Sequence, residues 1–196
     1  SNFMDGLNTL TTGYCLLILF SLIFVFSNNQ IIFPNYDLLL ITVVSLLVVF
    51  LFNIFGKIYL GDNGAYLVAF IISILLIEIS KINHIVSPFY VANLLWYPAF
   101  ENFFSIIRKI IQKKSPMSPD NHHLHQLLFA YFNKNRKFNK VFVNSFTACV
   151  INFFNFIIFA FATMYYSNTK IQILIILISI FFYNLFYFIL KKKIYN

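Results

Sequence analysis

Charge is scarce in this chain: only 10% of its 196 residues are Asp, Glu, Lys or Arg, against roughly 25% in soluble domains. With 60% hydrophobic residues, that shortage excludes an ordinary soluble globule. Cysteine is scarce as well. Cys15 and Cys149 both fall inside apolar runs, which excludes a disulfide framework or a cysteine metal centre and leaves them as small core residues. No internal repeat, low-complexity tract or soluble domain is present, and no signal peptide is visible. The opening Ser1-Asn2-Phe3-Met4-Asp5 has no initiator Met and is polar from its first position, so we expect the chain to be the later part of a longer polypeptide.

What is abundant is apolar sequence in long blocks. Six runs reach membrane-spanning length, at about Leu10–Phe26, Tyr36–Phe55, Ala65–Ile79, Ile85–Phe104, Val141–Tyr166 and Ile171–Leu190. They predict an all-α polytopic transmembrane helix bundle, one domain over 1–196 with a polar loop at 105–140. Alternating the spans sorts the connections into two sides. One side collects twelve cations (Lys57, Arg108, Lys109, Lys113, Lys114, Lys134, Arg136, Lys137, Lys140 and Lys191 to Lys193) and the other only Lys81 and Lys170. Cations concentrate on the cytoplasmic side of membrane proteins, so the basic side is expected in the cytoplasm of a multi-pass inner-membrane protein. This placement accounts for the net charge of +8 without a nucleic-acid partner.

Three polar clusters fall on that side. Asn2-Phe3-Met4-Asp5-Gly6-Leu7-Asn8 opens the first span, with Asp5 and Asn8 three residues apart and so on one face of a helix; it either caps the span or presents polar groups. Gly56-Lys57-Ile58-Tyr59-Leu60-Gly61-Asp62-Asn63-Gly64 sets a carboxylate among glycines at the start of a span. It reads either as an Asp N-cap in a glycine turn or as a site where backbone approaches phosphate and Asp62 meets a hard cation. In Ser118-Pro119-Asp120-Asn121-His122-His123-Leu124-His125, the tight histidine spacing and the absence of nearby Cys argue against zinc. His123 and His125 would project about 200° apart on a regular helix, so they meet one ligand only if the segment is irregular; His122 and His125 share a helical face. These imidazoles are either partners for phosphate oxygens or an interfacial cluster with no ligand. Asp120 is expected to cap a short helix whose apolar stripe is Leu124, Leu127, Leu128, Tyr131 and Phe132. Glu101 either faces the site or caps its helix, Glu78 is expected to pair with Lys81, and His84 is a solvated loop residue.

Together the clusters resemble the polyprenyl-phosphate N-acetylhexosamine-1-phosphate transferase family, the WecA- and MraY-like enzymes. Asn2 to Asn8 looks like the family's Asn-x-x-Asp-Gly-x-Asp motif, Lys57 to Gly64 like its Lys-x-Phe-Met-Gly-Asp-x-Gly motif, and Ser118 to His125 like its Ser-Pro-Asp-x-x-His-x-His motif, nearer the WecA branch. The resemblance implies transfer of a sugar 1-phosphate from a UDP-sugar to undecaprenyl or another polyprenyl phosphate, with release of UMP, in bacterial cell-envelope glycan synthesis. It implies Mg²⁺ (or Mn²⁺) at Asp62 and Asp5, and catalytic roles at the phosphates for His123 and His125. Asn2 and Asn8 would orient the nucleotide, with Lys57, Arg108, Lys109 and His122 as further substrate-binding groups. The resemblance covers only the C-terminal part of the family's architecture. Asn8 and Gln126 depart from the common Asp and His, and the family's early Asp-Asp pair does not occur, so these residues alone are expected to be inert. The competing readings are a non-catalytic degenerate paralogue and a membrane transporter. Transporters place ionisable groups mid-membrane, whereas Asp5 and Asp62 sit at span ends, which favours the transferase.

Overall fold

A computed structural model describes residues 7–27, 31–113, 115, 122–134 and 139–195. Every regular element among them is an α-helix: α1 (Leu10–Phe26), α2 (Tyr36–Ile54), α3 (Gly61–Ile82), α4 (Pro88–Leu94), α5 (Trp96–Ile111), α6 (Leu124–Asn133), α7 (Lys140–Met164) and α8 (Thr169–Tyr195). Helices α2, α3, α7 and α8 are long and apolar enough to cross a membrane, and α1 is a shorter apolar helix of 17 residues. The protein is a polytopic membrane helix bundle.

Helix α1 is apolar all round, and such a helix belongs in an interior. It is buried without interruption from Leu10 to Leu16 and packs on α7, α2 and α3. The outer helices expose large apolar side chains instead, among them Ile41, Val44 and Leu51 of α2 and Leu174, Leu177 and Phe181 of α8. In water such a surface would be an aggregation hazard; against hydrocarbon it is a matched one.

The fourth expected span, Ile85–Phe104, needs correction. It is two helices, α4 and α5, meeting at Leu95. Pro98 explains the break. It has no N–H to give the carbonyl four residues back, and its ring crowds that carbonyl. The orphaned Leu94 oxygen accepts instead from the Tyr14 hydroxyl of α1 at 2.9 Å. Helix α5 also runs on to Ile111, so the first residues of the 105–140 loop are helical. Its sidedness is inverted relative to a soluble helix. Tyr97, Glu101, Ser105 and Arg108, at steps of four, four and three, form a buried polar stripe, while Phe103, Ile106 and Ile110 face outward.

Hydrogen bonds tie the two ends of the bundle. At one end Ser145 Oγ of α7 donates to the Ile54 carbonyl of α2 at 2.8 Å, and Arg108 Nη1 of α5 donates to the Tyr187 hydroxyl of α8 at 3.1 Å. At the other, Ser87 N–H donates to the Tyr166 carbonyl at 2.9 Å, and Asn83 exchanges two bonds with the Ile32 backbone, each 2.8 Å. Among the described residues the first end carries Lys57, Lys140 and Lys191 to Lys193, and the second only Lys81 and Lys170, as alternation of the spans requires. Glu78 at the second end does not pair with Lys81: both its oxygens accept from Asn35 Nδ2, at 2.8 and 2.9 Å. Cys15 is buried as expected, but Cys149 is exposed on the outer surface of α7 and is not a core residue. His84 is exposed in the turn after α3.

Candidate functional site

The start of α1 is built from three asparagines on other helices. Asn8 N–H donates to Asn144 Oδ1 at 2.6 Å, Thr9 N–H to Asn53 Oδ1, and the Thr9 carbonyl accepts from Asn152 Nδ2 at 3.0 Å. Thr9 sits in the left-handed region at φ 66°, which an uncapped helix start would not hold unaided. The same carbonyl accepts from Gly13 N–H at 2.9 Å. Gly13 leaves room for this contact: a Cβ there would overlap Asn152 Nδ2, and the Asn152 side chain would have to shift. Asn53 is in turn tied to the 56–64 loop, donating from Nδ2 to the Ile58 carbonyl at 2.6 Å. Asn8 Nδ2 comes within 3.4 Å of where a Cβ of Gly56 would sit. The first two motifs are thus neighbours, although Asn2 and Asp5 lie outside the described residues.

Asp62 stands in the first turn of α3, one residue inside Gly61, rather than at its N-cap, which is Leu60. Gly61 adopts φ +66° and a Cβ there would meet nothing within 4 Å, so the backbone beside the carboxylate is open to a ligand. The Asp62 side chain is exposed and makes no hydrogen bond or ion pair with a described residue. Lys57 is exposed on the same loop.

The histidines occupy the start of α6, which packs on α7 and α8. The helix begins one turn later than the expected Asp120 cap, which lies outside the described residues: its N-cap is His123, in extended conformation at φ −69°, ψ 149°. An extended residue followed by a helical one is the irregularity that lets His123 and His125 meet. Their rings stack with centroids 5.5 Å apart and planes 11° from parallel. Glu101 of α5, fully buried, faces the pair: its Oε1 accepts from His123 Nδ1 at 2.9 Å and from Leu124 N–H at 3.1 Å. His123 N–H donates to Gln126 Oε1 at 3.2 Å. His125 is 1% exposed and neither ring nitrogen has a partner among the described residues. Burial pushes its pKa down to about 4, with Glu101 opposing the shift and His123 adding to it, so at neutral pH it offers a neutral imidazole. His122 is half-buried.

Arg108 and Lys109 differ. Arg108 is buried, with Nη1 on Tyr187, Nη2 on Ser105 Oγ at 3.4 Å, and its guanidinium 5.7 and 5.5 Å from the Phe104 and Tyr187 ring centroids. Lys109 is half-buried. Between α5, α6, α7 and α8 runs an apolar groove of about 420 Å³, lined by Tyr97, Leu128, Tyr183 and Phe186, with Lys193 lying 5.4 Å from the Tyr131 ring centroid on its wall. The Tyr97 and Tyr183 hydroxyls lie near Glu101 but outside hydrogen-bonding geometry. No cluster of three or more His, Cys, Asp or Glu arranged to hold a metal ion occurs among the described residues. Sequence reasoning left Glu101 undecided and did not weigh Asn53, Asn144, Asn152, Tyr97, Tyr183 or Tyr187. Polar side chains at four-residue steps in an apolar span were the available signal.

The bundle thus gathers a glycine-flanked carboxylate, a stacked histidine pair and most of the described cations at one end. Residues 1–80 match the family described as Glycosyl transferase family 4. The chain is also 31% identical over 134 residues to a Bacillus subtilis (strain 168) protein described as a probable undecaprenyl-phosphate N-acetylglucosaminyl 1-phosphate transferase. That match covers 66% of this chain and 37% of the relative, so the chain spans well under half of the relative's length. No solved structure matches. The matched region and the relative both support the family that the motifs resemble.

Proposed function

We propose that the polypeptide carrying these residues transfers an N-acetylhexosamine 1-phosphate from a UDP-sugar to undecaprenyl phosphate or a related polyprenyl phosphate and releases UMP. The reaction would take place at the cytoplasmic face of the bacterial inner membrane. The observation that carries this reading is the pairing of His123 and His125 under Glu101 at the same end of the bundle as Asp62. Both reactants are anionic, so the site must offset repulsion and stabilise charge on the transferring phosphoryl group.

Asp62 fits a hard cation: it is an exposed carboxylate with open backbone beside it and no partner among the described residues to displace. A Mg²⁺ ion there, with Asp5 as a second oxygen donor, would supply Lewis-acid stabilisation of the phosphoryl oxygens. Asn8, and Asn2 before it, orient the nucleotide; the backbone of residue 8 is held by Asn144. His123 and His125 contact the phosphates, with His122, Lys57, Arg108 and Lys109 providing binding contacts or background potential. The groove beside Tyr97 and Tyr183 suits the polyprenyl tail, because it is apolar and its wall carries a cation.

The test uses membranes containing the full polypeptide that includes this segment, supplied with radiolabelled UDP-GlcNAc, undecaprenyl phosphate and Mg²⁺. A lipid-linked sugar phosphate and stoichiometric UMP are expected, with both lost on chelation. Asp62→Asn should lower turnover by roughly a hundredfold or more, because a lost metal ligand removes several kcal/mol of charge stabilisation. Wild-type turnover by Asp62→Asn would remove the metal assignment, and absence of any lipid-linked product would overturn the reaction itself.

A further inference from the structure

We propose that Glu101 is the positioning residue of the histidine pair: from α5 it fixes the ring of His123 and caps the first turn of α6, and through the ring stack it holds His125. The kinetic part of this assignment rests on the transferase reading; the structural part does not.

A helix start leaves its first amides without partners, and an N-cap side chain normally supplies an acceptor from Ser, Thr, Asp or Asn. Histidine takes the N-cap of α6 in a capping box with Gln126, whose Oε1 accepts from the His123 amide at 3.2 Å. Its imidazole is turned to the carboxylate of Glu101, which comes from 22 residues earlier in the chain. The same oxygen takes the Leu124 amide at 3.1 Å, so the capping acceptor reaches α6 from another helix. A carboxylate at that position also complements the positive end of the α6 dipole.

Acceptance by a carboxylate requires a proton on His123 Nδ1, which fixes the tautomer: in the neutral ring the lone pair is on Nε2. The bond also fixes ring rotation, and the His125 ring lies parallel to it. A carboxylate with 0% exposure is costly to bury without such a set of donors. Its location in the stripe of α5 that also carries Tyr97, Ser105 and Arg108 ties the histidine pair to the broken span. Small displacements of groups that meet phosphate cost about a hundredfold in rate, so a residue that sets their geometry is visible in kinetics without touching substrate.

Three variants of the full polypeptide in lipid nanodiscs separate acceptor chemistry from packing. Glu101→Gln keeps an acceptor oxygen, Glu101→Met keeps the volume without one, and Glu101→Ala keeps neither. Glu101→Ala and Glu101→Met should both lose about a hundredfold in kcat with little change in KM for the sugar nucleotide. Glu101→Gln should stay within about fivefold of wild type, since a neutral acceptor is roughly half as strong as a charged one. Without substrate, hydrogen exchange of the amides at the start of α6 should accelerate about fivefold or more in the Met and Ala variants, but not in Gln, with α7 as the unchanged reference. Met matching Gln in both readouts would make Glu101 a packing residue and overturn the assignment. If wild type has no transferase activity, the functional reading fails, and the exchange series still decides the role of Glu101.

Discussion

Lowering the pH from 7 to 5 should loosen α6 through a single side chain. His125 titrates at about 4 in the folded protein against an ordinary 6.5, because burial disfavours its charged form. The unfolded or opened state therefore binds the proton more readily. The contribution of His125 to stability is fully present above pH 6.5 and is lost as pH falls from there toward 4. At pH 5 the linkage relation gives a loss of about 2 kcal/mol, or roughly thirtyfold in the opening equilibrium. The charges facing the ring are Glu101, which favours the proton, and His123, which opposes it. Hydrogen exchange of α6 amides in nanodiscs, corrected for intrinsic rates at each pH, reads the effect. His125→Phe keeps an aromatic ring against His123 and removes the titration, so it should abolish the pH sensitivity of α6. An equal pH dependence in wild type and His125→Phe would refute the reasoning, since the sensitivity would then belong to another group.

Gly13→Ala should destabilise the protein by about 1–3 kcal/mol in a detergent thermal melt, because its Cβ would overlap Asn152 Nδ2 and push that side chain off the Thr9 carbonyl. Adding Asn152→Ala should recover part of that loss, and additive effects would mean that the two do not meet. Tyr14→Phe strips the Leu94 carbonyl of its partner at a cost of about 1–3 kcal/mol; with Pro98→Ala restoring an N–H to that carbonyl the cost should shrink, and an unchanged cost would break the link to Pro98. On a background lacking Cys15 and Cys149, a cysteine near Asn168 should react with impermeant reagent in intact cells, while one near Asn133 stays protected. The reverse pattern would invert the bundle in the membrane.

The spans were legible because the chain alternates apolar blocks with basic connections, and burial in lipid leaves few other ways to read such blocks. The break at Leu95 was harder to see, although Pro98 announces it, because hydropathy averages over the proline and the residues around it remain apolar. The sequence lets His123 and His125 meet only if the backbone is irregular, and what meets that condition is a carboxylate more than twenty positions away. No local pattern encodes that. The same holds for Glu78, whose oxygens turn to Asn35 of a neighbouring helix and not to Lys81 one turn along its own. The asparagine clamp on residues 8 and 9 was invisible for the same reason: Asn53, Asn144 and Asn152 read singly as unremarkable polar residues in apolar runs. The clusters of the first two motifs could be matched by type and order, while Asp62's openness could be learned only from the backbone around Gly61.

The clamp on the start of α1 has a consequence in time. Its partners Asn144 and Asn152 emerge 136 and 143 residues after the groups they bind. At synthesis rates of about 5–20 residues per second, helix α1 waits on the order of 7–30 seconds for them. During that interval its left-handed first residue and the buried amides around it must be satisfied by water, by lipid headgroups or by the insertion machinery. The segment that closes the first motif is thus set in place by a helix made long after it, and a ribosome stalled before α7 leaves behind inserted helices without a finished site.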